Sequence, residues 1–292
     1  MNVDIQQSYK ESEFGKLFIV PTPIGNLEDI TFRALQTLKD VDIIAAEDTR
    51  HTQKLLNHFE INNRLISFHE HSKQSRKEQL IEKLLEGKNI ALVSDAGMPT
   101  ISDPGYDLVK TAIEENISVV VLPGANAALC ALVGSGISPN EFLFYGFLPR
   151  KKQEQELELD RLKNIKATLI FYESPYRLAE TLQNITKSLG NRQVVIAREI
   201  TKIHETFVRG HAEDVLNWIN ENEVKGECCI VVEGNKEKIQ EEKWWMKLSL
   251  EEHVQHYEQI EKIPHKQALK QVAKDRNISR RDVYQAIHIK NK

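Results

Sequence analysis

Short apolar runs alternate with amphipathic helical segments along residues 16–133, and this pattern constrains the fold more than any other feature of the chain. Each apolar run is followed by a loop and then by apolar residues at helical spacing. Parallel strands need a long crossover between them, so the alternation predicts a mostly parallel sheet covered by helices. The predicted strands are 17–20, 42–46, 65–68, 90–93 and 119–122.

A second alternating block covers residues 142–233, with strands predicted at 142–145, 168–172, 194–197, 206–208 and 228–232. Residues 198–205 are too few for a crossover helix and predict a hairpin. Ser174 and Pro175 are typical of a helix start, which predicts a helix over 176–189. A charged connector predicts an exposed helix ending near 163. The fold class is α/β, with domains at 14–133 and 134–236.

Residues 243–292 form a third, basic module with eleven lysine and arginine residues against six aspartate and glutamate residues, whereas residues 1–242 hold 28 against 37. Ser249 with Glu252, and Ser279 with Asp282, match capping boxes. The pattern over 268–289 predicts a helix, a turn and a helix. A polyanion should therefore meet this module first.

Composition excludes several classes of protein. With 40% hydrophobic and 28% charged residues the chain is globular. Residues 117–140 carry no charge, but Pro123-Gly124 interrupts them, so they predict core and no membrane span. The first fifteen residues lack the apolar run of a signal peptide, and a cytoplasmic location is expected. Neither the histidines nor the cysteines have metal-ligand spacing, so no metal is expected. The cysteines are interpreted as core residues: Cys130, Cys228 and Cys229.

Three loops after strands of the first block have the composition of a ligand site. Residues 91–105 carry two Asp and two Gly, and sheets of this class bind ligands at the carboxyl ends of their strands. Asp95 can accept a hydrogen bond from a ligand, whereas Asp103 is interpreted mainly as the cap of the next helix. Prolines replace glycines in the first loop, 20–27, which favours a nucleoside or a sulfonium over a diphosphate. The third loop, 122–127, offers Asn126. For each loop alone, a simple tight turn remains the alternative.

Together these loops resemble the tetrapyrrole methylase family and, within it, methyltransferases of ribosomal RNA. Five motifs in order carry the resemblance: PTPIGNLED at 21–29, EDTR at 47–50, SDAGMP at 94–99, FYESP at 171–175 and REITK at 198–202. The resemblance implies two α/β domains facing a cleft that binds S-adenosyl-L-methionine. It also implies methylation of the ribose 2′-hydroxyl of a cytidine in small-subunit ribosomal RNA, by a homodimer acting on that RNA or on the 30S subunit. The implied cofactor contacts are Pro23, Ile24, Gly25, Asp95, Gly97, Met98, Asn126, Ala127, Tyr172 and Ala197.

Methyl transfer to a hydroxyl needs alignment of donor and acceptor and removal of a proton. Charged side chains that follow predicted strands are therefore the catalytic candidates, with a surface ion pair or helix cap as the alternative role: Glu47, Arg50, Arg198, Glu199 and Lys202. Basic residues that suit RNA phosphates, unless they are only solvated surface, are Arg150, Lys151, Lys152, Lys266, Lys270, Arg280 and Arg281. Two rival functions stay open: methylation of a small tetrapyrrole-like precursor, and RNA binding without catalysis.

Overall fold

A computed structural model describes residues 5–10, 13–69, 74–236 and 244–288. The chain forms two compact units, Met1–Lys236 and Glu237–Lys292. None of the described helices has the length and apolar content to cross a membrane.

The first unit begins with a five-stranded sheet in which every strand is parallel to its neighbours. The strands are β1 (Leu17–Ile19), β2 (Ile43–Ala46), β3 (Leu65–Ser67), β4 (Ile90–Val93) and β5 (Val119–Val121), in the order β3-β2-β4-β1-β5. The helices between and after them are α1 (Phe32–Asp40), α2 (Thr49–His58), α3 (Gln74–Leu85), α4 (Tyr106–Glu114) and α5 (Ala127–Ser135). The predicted parallel sheet is confirmed, with strand ends within one residue.

The strand order explains why the three ligand-type loops lie together. β1 pairs with β4 on one side and with β5 on the other, so the loops that follow these strands leave the same edge of the sheet. Thr22 and Gly97 join two of the loops directly, since each backbone N–H donates to the other residue's carbonyl at 3.0 Å. The loop after β1 and the loop after β4 are therefore held together as one surface.

The second sheet is mixed. Its strands are β6 (Phe142–Phe147), β7 (Thr168–Glu173), β8 (Gln193–Arg198), β9 (Thr206–His211) and β10 (Cys228–Val232), in the order β6-β7-β10-β8-β9. β8 and β9 form the predicted hairpin, which is confirmed. β10 lies between β7 and β8 and is antiparallel to both, so its first residues meet the ends of those two strands.

Two local predictions for this sheet's helices were wrong in detail. The helices around this sheet are α6 (Lys152–Leu162), α7 (Leu178–Leu189) and α8 (Ala212–Glu221). α7 begins two residues later than predicted, and its N-cap residue is Arg177, which makes no side-chain cap hydrogen bond. α6 was predicted as an exposed helix, yet Leu159 and Leu162 bury one side of it in the core.

An apolar cluster connects the first loop with the second sheet. Ile24 packs with Ala128 and Leu132 of α5 and with strand residues including Ile170 and Cys229. α5 is built from small and apolar residues and packs against strands of the second sheet. The loop that precedes α5 is thereby brought against the ends of β7, β8 and β10.

The second unit is a small helical module. A short 3-10 helix (Trp244–Lys247) precedes α9 (Leu250–Gln259), α10 (His265–Arg276) and α11 (Arg280–His288). Both predicted capping boxes are confirmed by hydrogen bonds between Ser249 and Glu252 and between Ser279 and Asp282. Asn277 turns the chain between α10 and α11 in the left-handed region. The basic side chains predicted to meet RNA are exposed here: Lys266, Lys270, Arg280 and Arg281.

Candidate active site

A cavity of about 650 Å³, which we call the large cavity, lies where the loops of the first sheet face the ends of the second sheet. That volume is within the range of roughly 300–1,000 Å³ that is typical of small-molecule sites. Most of the residues predicted to contact the cofactor lie on its wall: Ile24, Asp95, Gly97, Met98, Asn126, Ala127, Tyr172 and Ala197.

Gly97 has the backbone conformation that brings its loop close to the cavity. Its φ of +80° favours glycine, and an added Cβ would lie 3.3 Å from the Ile24 side chain. A side chain at this position would therefore be strained and would press on the opposite wall of the cavity.

Polar groups on the wall are held in place by the backbone. The Asp95 carboxylate accepts a hydrogen bond from the Asp48 N–H at 3.0 Å, which fixes the loop after β2 against the loop after β4. Asn126 uses its side-chain oxygen to cap α5, accepting from the Leu129 N–H at 3.0 Å. The Tyr172 hydroxyl accepts from the Ala128 N–H at 3.2 Å, and burial raises the pKa of this tyrosine to about 12.

Asp103 lies on the cavity wall and does not cap a helix, contrary to the sequence interpretation. α4 begins after Gly105, whose φ is +130° and where a Cβ would come within 2.6 Å of Leu92. Burial raises the pKa of Asp103 to about 7, and the nearby Glu47 carboxylate adds to the increase. The large cavity therefore has an acidic wall of Glu47, Asp95 and Asp103.

Two loops beside the cavity hold four of the eight described non-glycine residues that have a positive φ. Thr100 and Ser102 have φ of +75° and +63°, and Glu199 and Thr201 have φ of +51° and +68°. Such conformations are uncommon for residues other than glycine and are outliers for β-branched threonine. Strain of this kind collects at functional sites, where surrounding contacts over-determine the backbone.

Lys202 is fixed by two carboxylates. Its ammonium group donates to Glu199 at 3.0 Å and to Glu227 at 3.1 Å. Burial alone would lower the pKa of Lys202, but these hydrogen bonds outweigh it and raise the pKa above its usual value. Likewise, burial would raise the pKa of Glu199, yet the bonds from Lys202 and from the Glu227 N–H lower it. Lys202 therefore stays a cation at neutral pH.

A second cavity of about 370 Å³, the small cavity, adjoins the large one. Ile24, Asp95, Ala96 and Glu227 line both cavities. The remaining predicted cofactor contacts, Pro23 and Gly25, lie here, as does Lys202. A Cβ on Gly25 would overlap the Lys202 side chain, so glycine is needed for the first loop to pass this lysine.

The other predicted residues lie elsewhere. Arg50 is exposed and paired with Asp48 at 2.7 Å, and Arg198 donates toward the Lys225 carbonyl; neither lines the large or the small cavity. Arg150, Lys151 and Lys152 precede and begin α6, where Lys151 pairs with Glu154.

The sequence interpretation missed the contribution of β10 to the site. Gly226, Glu227, Cys228 and Cys229 line the large cavity, and burial raises the pKa of the Cys228 thiol to about 11. Only the order of the strands in the sheet brings these residues to the site, and a local sequence pattern does not reveal that order. Within the described residues no group of His, Cys, Asp and Glu is arranged to hold a metal ion.

Comparison with known families decides the classification. Residues 16–216 match the family described as Tetrapyrrole (Corrin/Porphyrin) Methylases. The chain belongs to this family. S-adenosyl-L-methionine is the methyl donor of the family and the cofactor of this chain. The large cavity fits it, because apolar walls suit an adenine ring and the three acidic side chains suit a ligand that carries sulfonium and ammonium charges.

Curated relatives match over nearly the whole chain. A protein of Halalkalibacterium halodurans is 54% identical over 285 residues, which cover 97% of this chain and 98% of the relative. A protein of Bacillus subtilis is 54% identical over 283 residues, covering 96% of each chain. Both are named ribosomal RNA small subunit methyltransferase I.

Solved structures share the fold at lower sequence identity. Cobalt precorrin-4 methyltransferase superimposes with a TM-score of 0.57 at 17% identity, covering 75% of this chain and 94% of the other. Diphthine synthase gives a TM-score of 0.57 at 12% identity, covering 75% and 90%. The expected α/β fold class of this family is confirmed, with two sheets, alternating helices and C-terminal helices.

Proposed function

We propose that this chain methylates small-subunit ribosomal RNA in the cytoplasm, at the ribose 2′-hydroxyl of a cytidine. The observation that carries the proposal is the 54% identity over 97% of the chain to a protein named for methylation of that RNA. The choice of a cytidine 2′-hydroxyl rests on the resemblance of the five motifs.

The chemistry is a transfer of a methyl group from the sulfonium of the bound cofactor to an oxygen nucleophile. The protein must hold the acceptor in line with the donor and help the hydroxyl to lose its proton. We assign the first task to the cavity walls and the second to the charged groups where the large and small cavities meet.

Lys202 is the group that we assign to stabilising the developing alkoxide. It is protonated, half-buried and held in one position by Glu199 and Glu227. A fixed cation beside a developing negative charge stabilises a transition state more than a mobile solvated one. Glu199 therefore acts as a positioning residue.

Glu47 is our candidate for accepting the proton, because it lines the large cavity beside Asp95 and Asp103. Arg50 and Arg198 were also predicted to act in catalysis. Since neither lines a cavity, we assign them no contact with the reacting atoms.

Substrate RNA needs phosphate contacts beyond the reacting nucleotide. We propose that the exposed basic residues provide them, in two groups. One group is Arg150, Lys151 and Lys152 at the start of α6; the other is Lys266, Lys270, Arg280 and Arg281 in the helical module.

We further propose that the chain acts as a homodimer, as the family resemblance implies. The exposed side of α5 is apolar and supports this, since Leu129 and Val133 are 48% and 79% exposed there.

The proposal is tested with cofactor labelled in its methyl group and 30S subunits from cells in which the gene for this chain has been deleted. Label should enter the RNA. Alkaline hydrolysis should leave uncut the one phosphodiester bond that follows the methylated cytidine, because a 2′-O-methyl group blocks cleavage there. Label in a base would refute the ribose assignment. Transfer to a tetrapyrrole precursor, with none to RNA, would favour the first rival; RNA binding without transfer would favour the second.

Lys202→Ala tests the catalytic assignment. The single-turnover rate should fall by roughly 10²- to 10³-fold, the effect of losing one group that stabilises transition-state charge, while affinities for cofactor and RNA change little. Lys39→Ala, an exposed lysine on α1 outside both cavities, is the control. An equal loss of RNA affinity would make Lys202 a phosphate anchor.

A further inference from the structure

The small cavity carries two predicted cofactor contacts, Pro23 and Gly25, together with Lys202, but the rest of its wall has no ligand assigned to it. Its wall on one side is formed by the face of α2 that carries His51, Thr52, Lys54 and Leu55. The first loop faces them, with Pro23, Gly25 and Leu27. Its volume of about 370 Å³ is at the lower end of the range for small-ligand sites.

Thr52 is the first sign that the small cavity binds something. The residue is 2% exposed, and its hydroxyl has no hydrogen-bond partner among the residues that the structure describes. Buried hydroxyl groups are almost always hydrogen-bonded, because leaving one unpaired destabilises the fold. A ligand oxygen in this cavity would satisfy it.

The small cavity is lined by charged side chains of both signs. His51 and Lys54 are exposed on α2 and make no ion pair within the described part of the chain, so they are available to an anion. Asp95 and Glu227 lie at the end shared with the large cavity. A ligand with a phosphate would therefore place that phosphate at the His51 and Lys54 side chains rather than at the carboxylates of Asp95 and Glu227.

The shared end is where Lys202 is held. The walls of both cavities include Ile24, Asp95 and Ala96, so a group at that end lies beside the cofactor site. Enzymes that modify a base within a duplex flip that nucleotide out of its stack into a pocket, and we extend this binding mode to a nucleotide that is modified on its ribose. One nucleotide in the small cavity would present its ribose at the junction of the cavities.

We propose that the small cavity holds the nucleotide that is methylated, with its phosphate at His51, Thr52 and Lys54 and its ribose toward Lys202. This inference rests on the proposed function and adds the place of the substrate to it. The cavity thus recognises a ribonucleoside phosphate that is part of an RNA chain.

The test uses the full chain with 30S subunits and compares Lys54→Ala, Thr52→Val and the control Lys39→Ala. Lys54→Ala should raise the KM for 30S subunits about tenfold, since it removes a phosphate contact, with kcat and cofactor affinity within about twofold of the wild type. Thr52→Val should raise the same KM about three- to tenfold. The thermal midpoint of Thr52→Val should be equal to or above that of the wild type, because the unpaired hydroxyl is gone.

An unchanged KM in both variants would overturn the inference. So would an equal rise in KM in Lys39→Ala, which would show that any surface lysine has the effect. Weaker cofactor binding in Lys54→Ala would assign the small cavity to the cofactor. A wild-type chain that methylates no 30S RNA would refute the proposed function. The wild-type measurement alone shows this, so it is distinguished from a failure of the inference about the small cavity.

Discussion

Gly226 gives the sharpest test of how Lys202 is held. The residue precedes β10 with a φ of +85°, and a Cβ there would overlap the Glu199 carboxylate. That carboxylate accepts from the Glu227 N–H and from the Lys202 ammonium, each at 3.0 Å. In Gly226→Ala the carboxylate must move, and both hydrogen bonds must lengthen or break.

The magnitude follows from a matched control, Gly87→Ala. Gly87 has a φ of +87°, and the space within 4 Å of an added methyl group is open, so this variant carries only the left-handed backbone cost of about 1–2 kcal/mol. Gly226→Ala carries that cost and also loses two charge-assisted bonds. Such bonds contribute about 1.5–3 kcal/mol each when buried, and less here because Lys202 and Glu199 are partly exposed. We expect an additional loss of about 1–3 kcal/mol.

Urea unfolding at neutral pH measures the difference in stability between the two variants, and single-turnover methylation measures its effect on the site. A displacement of Lys202 by about 1 Å should lower the rate by up to roughly 10²-fold in Gly226→Ala. Gly87→Ala should keep the wild-type rate. If the two variants lose the same stability and both keep the rate, Glu199 does not position Lys202.

Three further predictions concern the cavity and the helical module. Asp95→Ala and Gly97→Val should each weaken cofactor binding, measured by isothermal titration, without unfolding the chain; normal affinity in both would show that these loops are only turns. Asp103, with its pKa raised to about 7, should make the wild type less stable as pH rises from about 4 to about 7, because the folded state holds the proton more tightly than the unfolded state. Thermal midpoints of Asp103→Asn should therefore exceed those of the wild type at pH 8 and converge with them at pH 4, whereas a constant difference would contradict the cause. Ending the chain after Lys236 should preserve cofactor affinity, weaken RNA binding and make its salt dependence shallower, and an unchanged slope would assign the module to another role.

The sequence was informative where a local pattern determines local structure. Apolar runs and helical spacing placed the strands of the first sheet within one residue, because the strands read as apolar runs, and the central strands β2 and β4 are buried on both faces. The short link at 198–205 also sufficed to predict the hairpin of β8 and β9. The loops with Asp95, Gly97 and Asn126 follow β4 and β5, which flank β1 in one parallel sheet, so the large cavity was within reach of sequence reasoning.

Sequence reasoning failed where a distant segment decides the structure. β10 enters the sheet between β7 and β8, and only that pairing brings Glu227 and Cys228 to the cavity. Ser174 was predicted to cap α7, but the helix begins only after Arg177, and the Thr181 hydroxyl inside it donates to Glu173 of β7 at 2.7 Å. Propensities describe what a segment favours alone, and tertiary contacts override them.

The loop after β8 shows how such contacts maintain a strained conformation around Lys202. Thr201 has a φ of +68°, yet its hydroxyl accepts from the Asn26 N–H at 3.1 Å and its own N–H donates to Glu205 at 2.7 Å. Glu199 is tied to Glu227 through both its backbone and its carboxylate. The strain is thus opposed by contacts from the first loop, the hairpin and the segment before β10. Since each of these segments also lines or adjoins a cavity, occupation of either cavity is expected to stabilise the loop that carries Lys202.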